Sequence, residues 1–254
     1  MSIFTLTPPT NVRSWAKATG LNQTQAAKLV AGLSRPGKMP CHSYGLPAAE
    51  CNVGSKLRAK HTAERPNVCG GCYALKGSYR MYPEVIPAQY RRLETVRDAC
   101  LDWAASHHDP ESVPWIRAMV TLIGWESRVS QVFRWHDSGD LQSAAHLDLI
   151  VAVADRLPWV RFWMPSREAA VIAGWIKANG ALPSNLNIRQ SAALVDYFPN
   201  AERAVNGRTF SAVAKSAPIP SDAHQCPAYR QNGECRDCRA CWSPDVPVVV
   251  YPLR

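Results

Sequence analysis

The spacing of apolar residues at the start of the chain predicts two short helices. Residues 12–33 carry apolar side chains at helical intervals on both sides of Gly20, and the glycine predicts a break between the helices. A small helix pair with a glycine turn resembles a helix-turn-helix, which places one helix against DNA. The same pattern also fits an N-terminal cap on a larger domain. We assign residues 1–36 to a helical cap of this kind.

The next part of the chain predicts two further helices, at residues 83–107 and 115–125. In the first, apolar residues recur at steps of three and four, and Cys100 lies on the resulting stripe. We therefore interpret Cys100 as a buried small apolar residue rather than a metal ligand.

Short apolar runs then alternate with helical patterns, as in a chain of βα units. The predicted strands cover residues 130–135, 159–164, 185–189 and 209–213, and their starts are 20–30 residues apart. Successive βα units imply a parallel sheet with right-handed crossovers, either doubly wound or rolled up. We predict an α/β domain over residues 37–254, with parallel βα units forming a full or partial barrel and cysteine-rich loops at both ends. A last apolar run, at residues 246–252, contains two prolines and predicts an edge strand.

The composition predicts a folded protein in a reducing cytoplasm. The 254 residues are 46% hydrophobic, with no run of eighteen apolar residues and no charged-then-apolar pattern at the start. In that compartment, nine cysteines favour metal binding or catalysis over disulfides. The net charge of +9 is compatible with an anionic small molecule or a nucleic acid as partner, and nothing in the pattern indicates a membrane.

A first cysteine group consists of Cys51 and the Cys69-Gly-Gly-Cys72 turn. The glycines allow the backbone to fold tightly, so that the thiols can point into one small volume and hold a metal. If only these three bind an iron–sulfur cube, one iron stays open for a substrate, as in catalytic metal sites. If Cys41 is a fourth ligand, that position is closed. The sequence leaves this question open.

A second cysteine group has the spacing C-x8-C-x2-C-x2-C and comprises Cys226, Cys235, Cys238 and Cys241. Three cysteines at successive x2 spacing match the first three ligands of a bacterial ferredoxin run, whereas zinc sites are usually built from separate knuckles. We therefore predict one or two 4Fe-4S clusters in the protein, with zinc as the alternative metal.

The residues that follow the predicted strands are polar and charged. Because parallel α/β folds place their sites at the carboxyl edge of the sheet, these residues predict a polar pocket there. We expect His136 to donate or accept a proton, and Asp137 and Asp140 to orient it or to bind substrate hydroxyls. An anionic group could be held by Arg134, Arg167 and Arg189. Ser166 is predicted to be the N-cap of the helix that follows its strand.

Four segments of the chain resemble the phage gene-product-88-like proteins. They are residues 45–51, residues 69–77, the string Arg-Trp-His-Asp-Ser-Gly-Asp at residues 134–140, and the closing cysteine group, and the resemblance extends from about Lys38 onward. The Cys-x2-Cys-Tyr-Ala turn is similar to the cluster turn of radical S-adenosylmethionine enzymes. That similarity implies a four-iron cube held by three cysteines on a partial βα barrel, with S-adenosylmethionine as cofactor. Those enzymes usually space the cysteines as C-x3-C-x2-C, whereas here seventeen residues separate Cys51 from Cys69, and no glycine-rich S-adenosylmethionine motif is evident.

These observations predict an iron–sulfur enzyme that acts at a strand-end pocket beside a cluster with an open iron. One alternative is a non-catalytic nucleic-acid-binding protein, in which the metal is structural and a basic surface contacts phosphates. Another is a hydrolase that uses Asp137 and Asp140, with the clusters as scaffolding.

Overall fold

Seven parallel strands form the centre of the computed structural model, which describes residues 6–200 and 209–253. The order across the sheet is β1-β2-β3-β4-β5-β7-β6, and every pair of neighbours is parallel. The strands are β1 (Ser43–Tyr44), β2 (Val132–Trp135), β3 (Arg161–Ser166), β4 (Leu186–Val195), β5 (Thr209–Ala214), β6 (His224–Gln225) and β7 (Val248–Pro252). The predicted parallel α/β architecture is therefore confirmed.

Eight α-helices are present in the described ranges, and the longest lies between β1 and β2 along the chain. They are α1 (Val12–Thr19), α2 (Gln23–Val30), α3 (Asn52–Ala59), α4 (Ser78–Met81), α5 (Val85–Ala105), α6 (Pro114–Glu126), α7 (Ala144–Arg156) and α8 (Ala169–Asn179). The predicted helices at residues 83–107 and 115–125 correspond to α5 and α6. None of the helices described has the length and apolar character needed to cross a bilayer.

Side chains alternate between the two faces of the sheet along each strand, and the two faces are covered by different parts of the chain. Phe133, Trp135 and Phe162 are fully buried among the apolar stripes of α5–α8. Burial of each such side chain stabilises the fold by about 1.5–3 kcal/mol. On the opposite face, Val132 and Trp163 pack with the cysteine-rich C-terminal segment, whose 3-10 turn spans Ala240–Trp242. The helices thus lie on one side and the second cysteine group on the other.

The N-terminal helices share the core of the helical layer. The break between α1 and α2 occurs at Gly20, which has a left-handed φ of 73°, as the sequence predicted. Trp15 donates from Nε1 to the carbonyl of Thr121 at 2.8 Å, and its ring fills the space beside Gly124 in α6. A Cβ at Gly124 would lie 2.2 Å from the ring, so this contact requires glycine. Residues 1–5 of the predicted cap lie outside the described residues.

Two topological expectations are corrected. The sheet ends at β1 on one side and β6 on the other, so the described strands do not close into a full barrel. The final strand β7 is not an edge strand, because β6 pairs beyond it. β6 is only two residues long and pairs with Val249 and Val250. Pro247 and Pro252, on either side of these valines, therefore need not donate a backbone hydrogen bond to β6. The chain around Cys41 and Cys51, predicted to be a cysteine-rich loop, also contains β1, and α3 begins directly after Cys51.

Candidate functional site

Polar loops from three neighbouring strands meet at the carboxyl edge of the sheet. The loops after β1 and β2 are joined by backbone hydrogen bonds from Leu46 N to Ser138 O and from His136 N to Tyr44 O, at 2.8 and 3.1 Å. Gly139, with a φ of 78°, lies so close to Leu46 that a Cβ would come within 2.6 Å of that side chain. Gly139, in the His-Asp-Ser-Gly-Asp string, therefore allows the two loops to approach each other closely.

Asp137 is buried and fastened by hydroxyl groups. Its carboxylate accepts hydrogen bonds from Ser43 Oγ at 2.7 Å and from the Tyr79 hydroxyl at 3.0 Å. Its backbone carbonyl accepts from the hydroxyls of Tyr73 and Tyr79, at 2.6 and 3.0 Å. The sequence did not single out these tyrosines, although Tyr73 belongs to the Cys-Tyr-Ala turn. Asp137 thus links the β2 loop to the segment that carries Cys72.

Asp140 joins the loop after β2 to the loop after β3. One carboxylate oxygen accepts from Ser166 Oγ at 2.6 Å and from Leu141 N at 2.7 Å, and the other accepts from Arg167 N at 2.9 Å. Burial raises the pKa of Asp140 to about 6, although these hydrogen bonds act in the opposite direction. Ser166 is the last residue of β3, and Glu168 occupies the N-cap position of α8, so the N-cap prediction for Ser166 is wrong. Its hydroxyl binds Asp140 instead.

The first cysteine group gathers in the chain between β1 and β2, beside Asp140. Gly54 lies at its centre, because a Cβ there would be 2.9 Å from Cys51 Cβ and 3.6 Å from Cys69 Sγ. Burial, followed by the negative groups Asp140, Cys72 and Cys69, raises the pKa of the Cys51 thiol. Burial also raises the pKa of Cys69, which Arg167 lowers in part. All three cysteines are half-buried and form no disulfide.

Glu168 holds the helix that begins at this group. Its carboxylate accepts a hydrogen bond from Val53 N at 2.9 Å, in the first turn of α3 immediately after Cys51. Glu168 is buried, and an acidic group at a helix N-terminus is stabilised by the helix dipole. Sequence analysis did not identify this residue, because its partner is distant in the chain.

The second cysteine group contains Cys41 as a fifth member. Cys41 packs with buried Cys241 and half-buried Cys226 and Cys238 on the sheet face opposite the helices. Burial raises the pKa of Cys41 to about 12, with Arg134 lowering it and Cys235 raising it. Burial likewise raises the pKa of Cys241 to about 12, and its sulfur lies 3.1 Å from the Tyr251 hydroxyl. Cys41 therefore lies with the second group and not with Cys51, Cys69 and Cys72.

Across residues 6–200 and 209–253, no three His, Cys, Asp or Glu side chains are arranged so that they could hold one metal ion.

The three predicted anion-binding arginines have different environments. Arg189 is fully buried, and its guanidinium donates to five backbone carbonyls, those of Phe210, Ala240, Cys241, Ser243 and Val246, at 2.7–3.1 Å. Arg134 donates to the Tyr73 hydroxyl at 3.1 Å and stacks on the Trp163 ring. Burial alone would lower the pKa of Arg134, but Tyr73, Asp137 and Tyr79 raise it overall. Arg167 donates to the carbonyls of Ser191 and Ala192 in the second half of β4.

His136 points into the helical layer rather than toward the thiols. It is 2% exposed, and its ring lies 5.5 Å from that of His146, which the sequence did not single out. Neither ring nitrogen of His136 has a hydrogen-bond partner among the described residues. Burial lowers the pKa of His136 well below its ordinary value and that of His146 to about 3, so both rings are neutral near pH 7.

A cavity of about 270 Å³ adjoins the first cysteine group. Arg167 lines it and also interacts electrostatically with Cys69, and Val53 and Leu57 of α3 form part of the wall. The remaining lining residues come from β4, β5 and the segment after β4, and they are Gln190, Ser191, Ala192, Ala193, Tyr197, Pro199 and Phe210. Among the described residues, the cavity thus has both apolar and polar walls, and Arg167 supplies a cation on the side of Cys69.

The sequence model of the Gene product 88 family matches residues 13–244. The matched range includes all nine cysteines and the loops after β1, β2 and β3. No curated protein and no solved structure matches the chain.

Proposed function

This chain belongs to the Gene product 88 family, as its resemblance to the phage proteins predicted, and we propose that it is an iron–sulfur enzyme acting at the cavity beside Cys51, Cys69 and Cys72. In this proposal the first cysteine group holds a 4Fe-4S cluster with one open iron. The second group holds another cluster, which has a structural role.

The observation that carries the proposal is the separation of Cys41 from the first group. Cys51, Cys69 and Cys72 meet beside Asp140 and Arg167, whereas Cys41 lies across the sheet with Cys235 and Cys241. Three thiolates are therefore available at the first group, which leaves the fourth iron of a cube without a cysteine. Thiols that bind a multi-iron cube also stand farther apart than the ligands of a single ion. Their arrangement need not satisfy single-ion geometry.

The charged residues around the thiols fit this role. When bound, the cluster would supply an electron and an open coordination position. Arg134 donates to the hydroxyl of Tyr73 and interacts electrostatically with Cys41 and Cys235, so it can balance the negative charge of thiolates in the second group. Arg167, at the wall of the cavity, is the arginine best placed to bind an anionic group of a substrate.

Several roles predicted from the sequence change in the proposal. His136 is not assigned to proton transfer, because its ring is enclosed in the helical layer. Arg189 is assigned to holding the second cysteine group, because its donors are used by backbone carbonyls. Asp137 and Asp140 bind separate sets of donors and are assigned to fixing the loops, which does not favour a paired-carboxylate hydrolase.

The more specific proposal is an enzyme similar to the radical S-adenosylmethionine enzymes, on an open sheet that corresponds to a partial barrel. It is supported by the placement of the three cysteines after β1 and by the adjoining cavity beyond Arg167. In this proposal S-adenosylmethionine is the ligand that binds at that cavity. Binding of S-adenosylmethionine is therefore to be measured separately from the cluster itself.

The test is the iron, acid-labile sulfide and zinc content per chain after anaerobic purification. About eight iron and eight sulfide would support two cubes, and about four would mean a single cluster. Replacement of Cys51, Cys69 and Cys72 together by serine is expected to remove one cube only, whereas Cys100→Ser, on α5 outside both groups, is the matched control and should remove none. Stoichiometric zinc without sulfide would overturn the proposal.

A further inference from the structure

We propose that the surface around the first cysteine group binds a single-stranded nucleic acid, which, resting on the proposed function, would be the substrate of the enzyme. The positive charge of the chain is concentrated in the segment that carries Cys69 and Cys72. Residues 56–97 contain nine Lys or Arg and three Asp or Glu, a net charge of +6, whereas the other 212 residues carry +3. Such a concentration on one segment is typical of proteins that bind phosphate backbones.

Several exposed cations of this segment are available to bind an external anion. Lys76, Arg80 and Arg91 are exposed, and none has an acidic partner within ion-pair distance among the residues described. Two other arginines of the segment are occupied within the protein: Arg97 pairs with Glu50 at 3.3 Å, and Arg92 is buried and donates to the carbonyl of Gly32 at 3.0 Å. These exposed cations occur on α4, on α5 and in the turn before α4, next to Cys72.

Exposed aromatic residues alternate with these cations along the chain, and their rings are suited to stacking. Tyr73, Tyr82 and Tyr90 are 57%, 59% and 39% exposed, and Met81 beside them is 70% exposed. Tyr73 is the clearest case, because its hydroxyl is tied to the carbonyl of Asp137 at 2.6 Å while its ring stays at the surface. A ring fixed in this way loses little conformational freedom when a base stacks on it.

The chemistry favours a single strand over a duplex or a lipid surface. Bases stack on protein side chains only when they are unstacked from their own helix, as in single strands and loops. At a membrane interface the hydroxyl of a tyrosine faces the headgroups, whereas the hydroxyl of Tyr73 faces the protein interior. The aromatic residues are also interleaved with cations rather than gathered on one apolar helix face.

Fluorescence anisotropy of the full-length protein with a short labelled single-stranded RNA, and with DNA of the same sequence, tests the proposal. Binding is expected to weaken steeply between about 50 and 200 mM salt. Tyr82→Ala should weaken binding about tenfold or more, and Tyr82→Phe should retain it, because phenylalanine keeps the stacking face. Arg80→Gln should lower the slope of log K against log salt by about 0.7, the value for one phosphate contact on a single strand.

Lys28→Gln is the matched control. Lys28 is exposed on α2, away from the tyrosines, so its replacement should leave binding unchanged. A loss with Lys28→Gln but not with Arg80→Gln would overturn the proposal and favour the N-terminal helices as the contact. Tighter binding to the matching duplex, or to vesicles containing an anionic lipid, would also overturn it.

The outcome is separable from that of the proposed function. Iron and sulfide are measured in the same preparations as strand binding, so the two results are obtained independently. Strand binding without iron would leave the surface assignment intact and refute the enzyme. Iron without strand binding would refute the inference alone.

Discussion

Arg189→Lys is expected to destabilise the protein strongly, although the charge is retained. The guanidinium is fully buried and makes hydrogen bonds to five backbone carbonyls, four of them in residues 240–246 of the cysteine-rich segment. An ammonium group has three donors, so at least two of these bonds are lost. Hydrogen bonds to charged groups contribute about 1.5–3 kcal/mol each, so the expected loss is about 3–6 kcal/mol. This is a large share of the roughly 5–15 kcal/mol that stabilises a typical domain.

Urea unfolding followed by circular dichroism measures this effect. With an m-value near the upper end of about 1–3 kcal/mol/M, the midpoint should fall by about 1–2 M. The matched control is Arg161→Lys at the exposed start of β3, which should shift the midpoint by little. Because the lost bonds hold the second cysteine group, Arg189→Lys should also make Cys241 react faster with a thiol reagent in the metal-free protein. Equal midpoints for the two variants would refute the reasoning.

Three further predictions follow from the packing. Gly54→Ala should reduce the iron and sulfide content to about half, because the added Cβ would press on the first cysteine group. Gly174→Ala in α8 is the control and should keep the full content, because nothing lies within 4 Å of a Cβ there. Full iron content in Gly54→Ala would contradict this prediction. Tyr44→Phe should cost about 1–2 kcal/mol in urea unfolding, since its buried hydroxyl donates to the carbonyl of Val30 at 2.9 Å, and the exposed control Tyr82→Phe should cost nothing measurable. Burial lowers the pKa of His146 to about 3. As the pH is lowered from 6.5 to 3, the unfolded chain therefore gains a proton that the folded chain does not. The free energy of unfolding should decrease by up to about 1.4 kcal/mol for each pH unit of acidification. Replacing His146 by Asn should reduce that dependence in urea unfolding between pH 6.5 and 4.5, while His136, whose pKa is also lowered by burial, keeps its own contribution. An unchanged slope would show that the ring of His146 titrates normally.

The helices and the parallel strands were predictable because their signals are local. The stripe on α5 and the apolar runs of β2 and β3 repeat at the periods that helices and buried strands require. The break at Gly20 was predictable for the same reason, since a left-handed residue ends the helix there. The two-residue strands β1 and β6 were not, because so short a segment has no periodicity and is defined by its partner.

The candidate site was predictable in residue type and only in part in arrangement. The polar loops after β2 and β3 follow from strand position, and Asp140 does lie among the thiols. The direction of a side chain within such a loop is not encoded locally, however. His136 has a left-handed φ of 57°, and its ring faces His146 across the helical layer. Glu168 was missed because its role depends on a helix more than 100 residues earlier in the chain.

The same reasoning explains why the grouping of the cysteines could not be obtained from spacing. Cys41 is ten residues from Cys51 and nearly two hundred from Cys235, yet it packs with the distant group. β1 separates the two nearby cysteines along the chain, and the segment before it is fastened to the cysteine-rich loop by the bond from Cys235 N to Lys38 O at 3.1 Å. The path of the backbone across the sheet edge therefore decides which thiols meet. In the proposed enzyme, the open iron of the first group would therefore depend on a two-residue strand that contributes no ligand of its own.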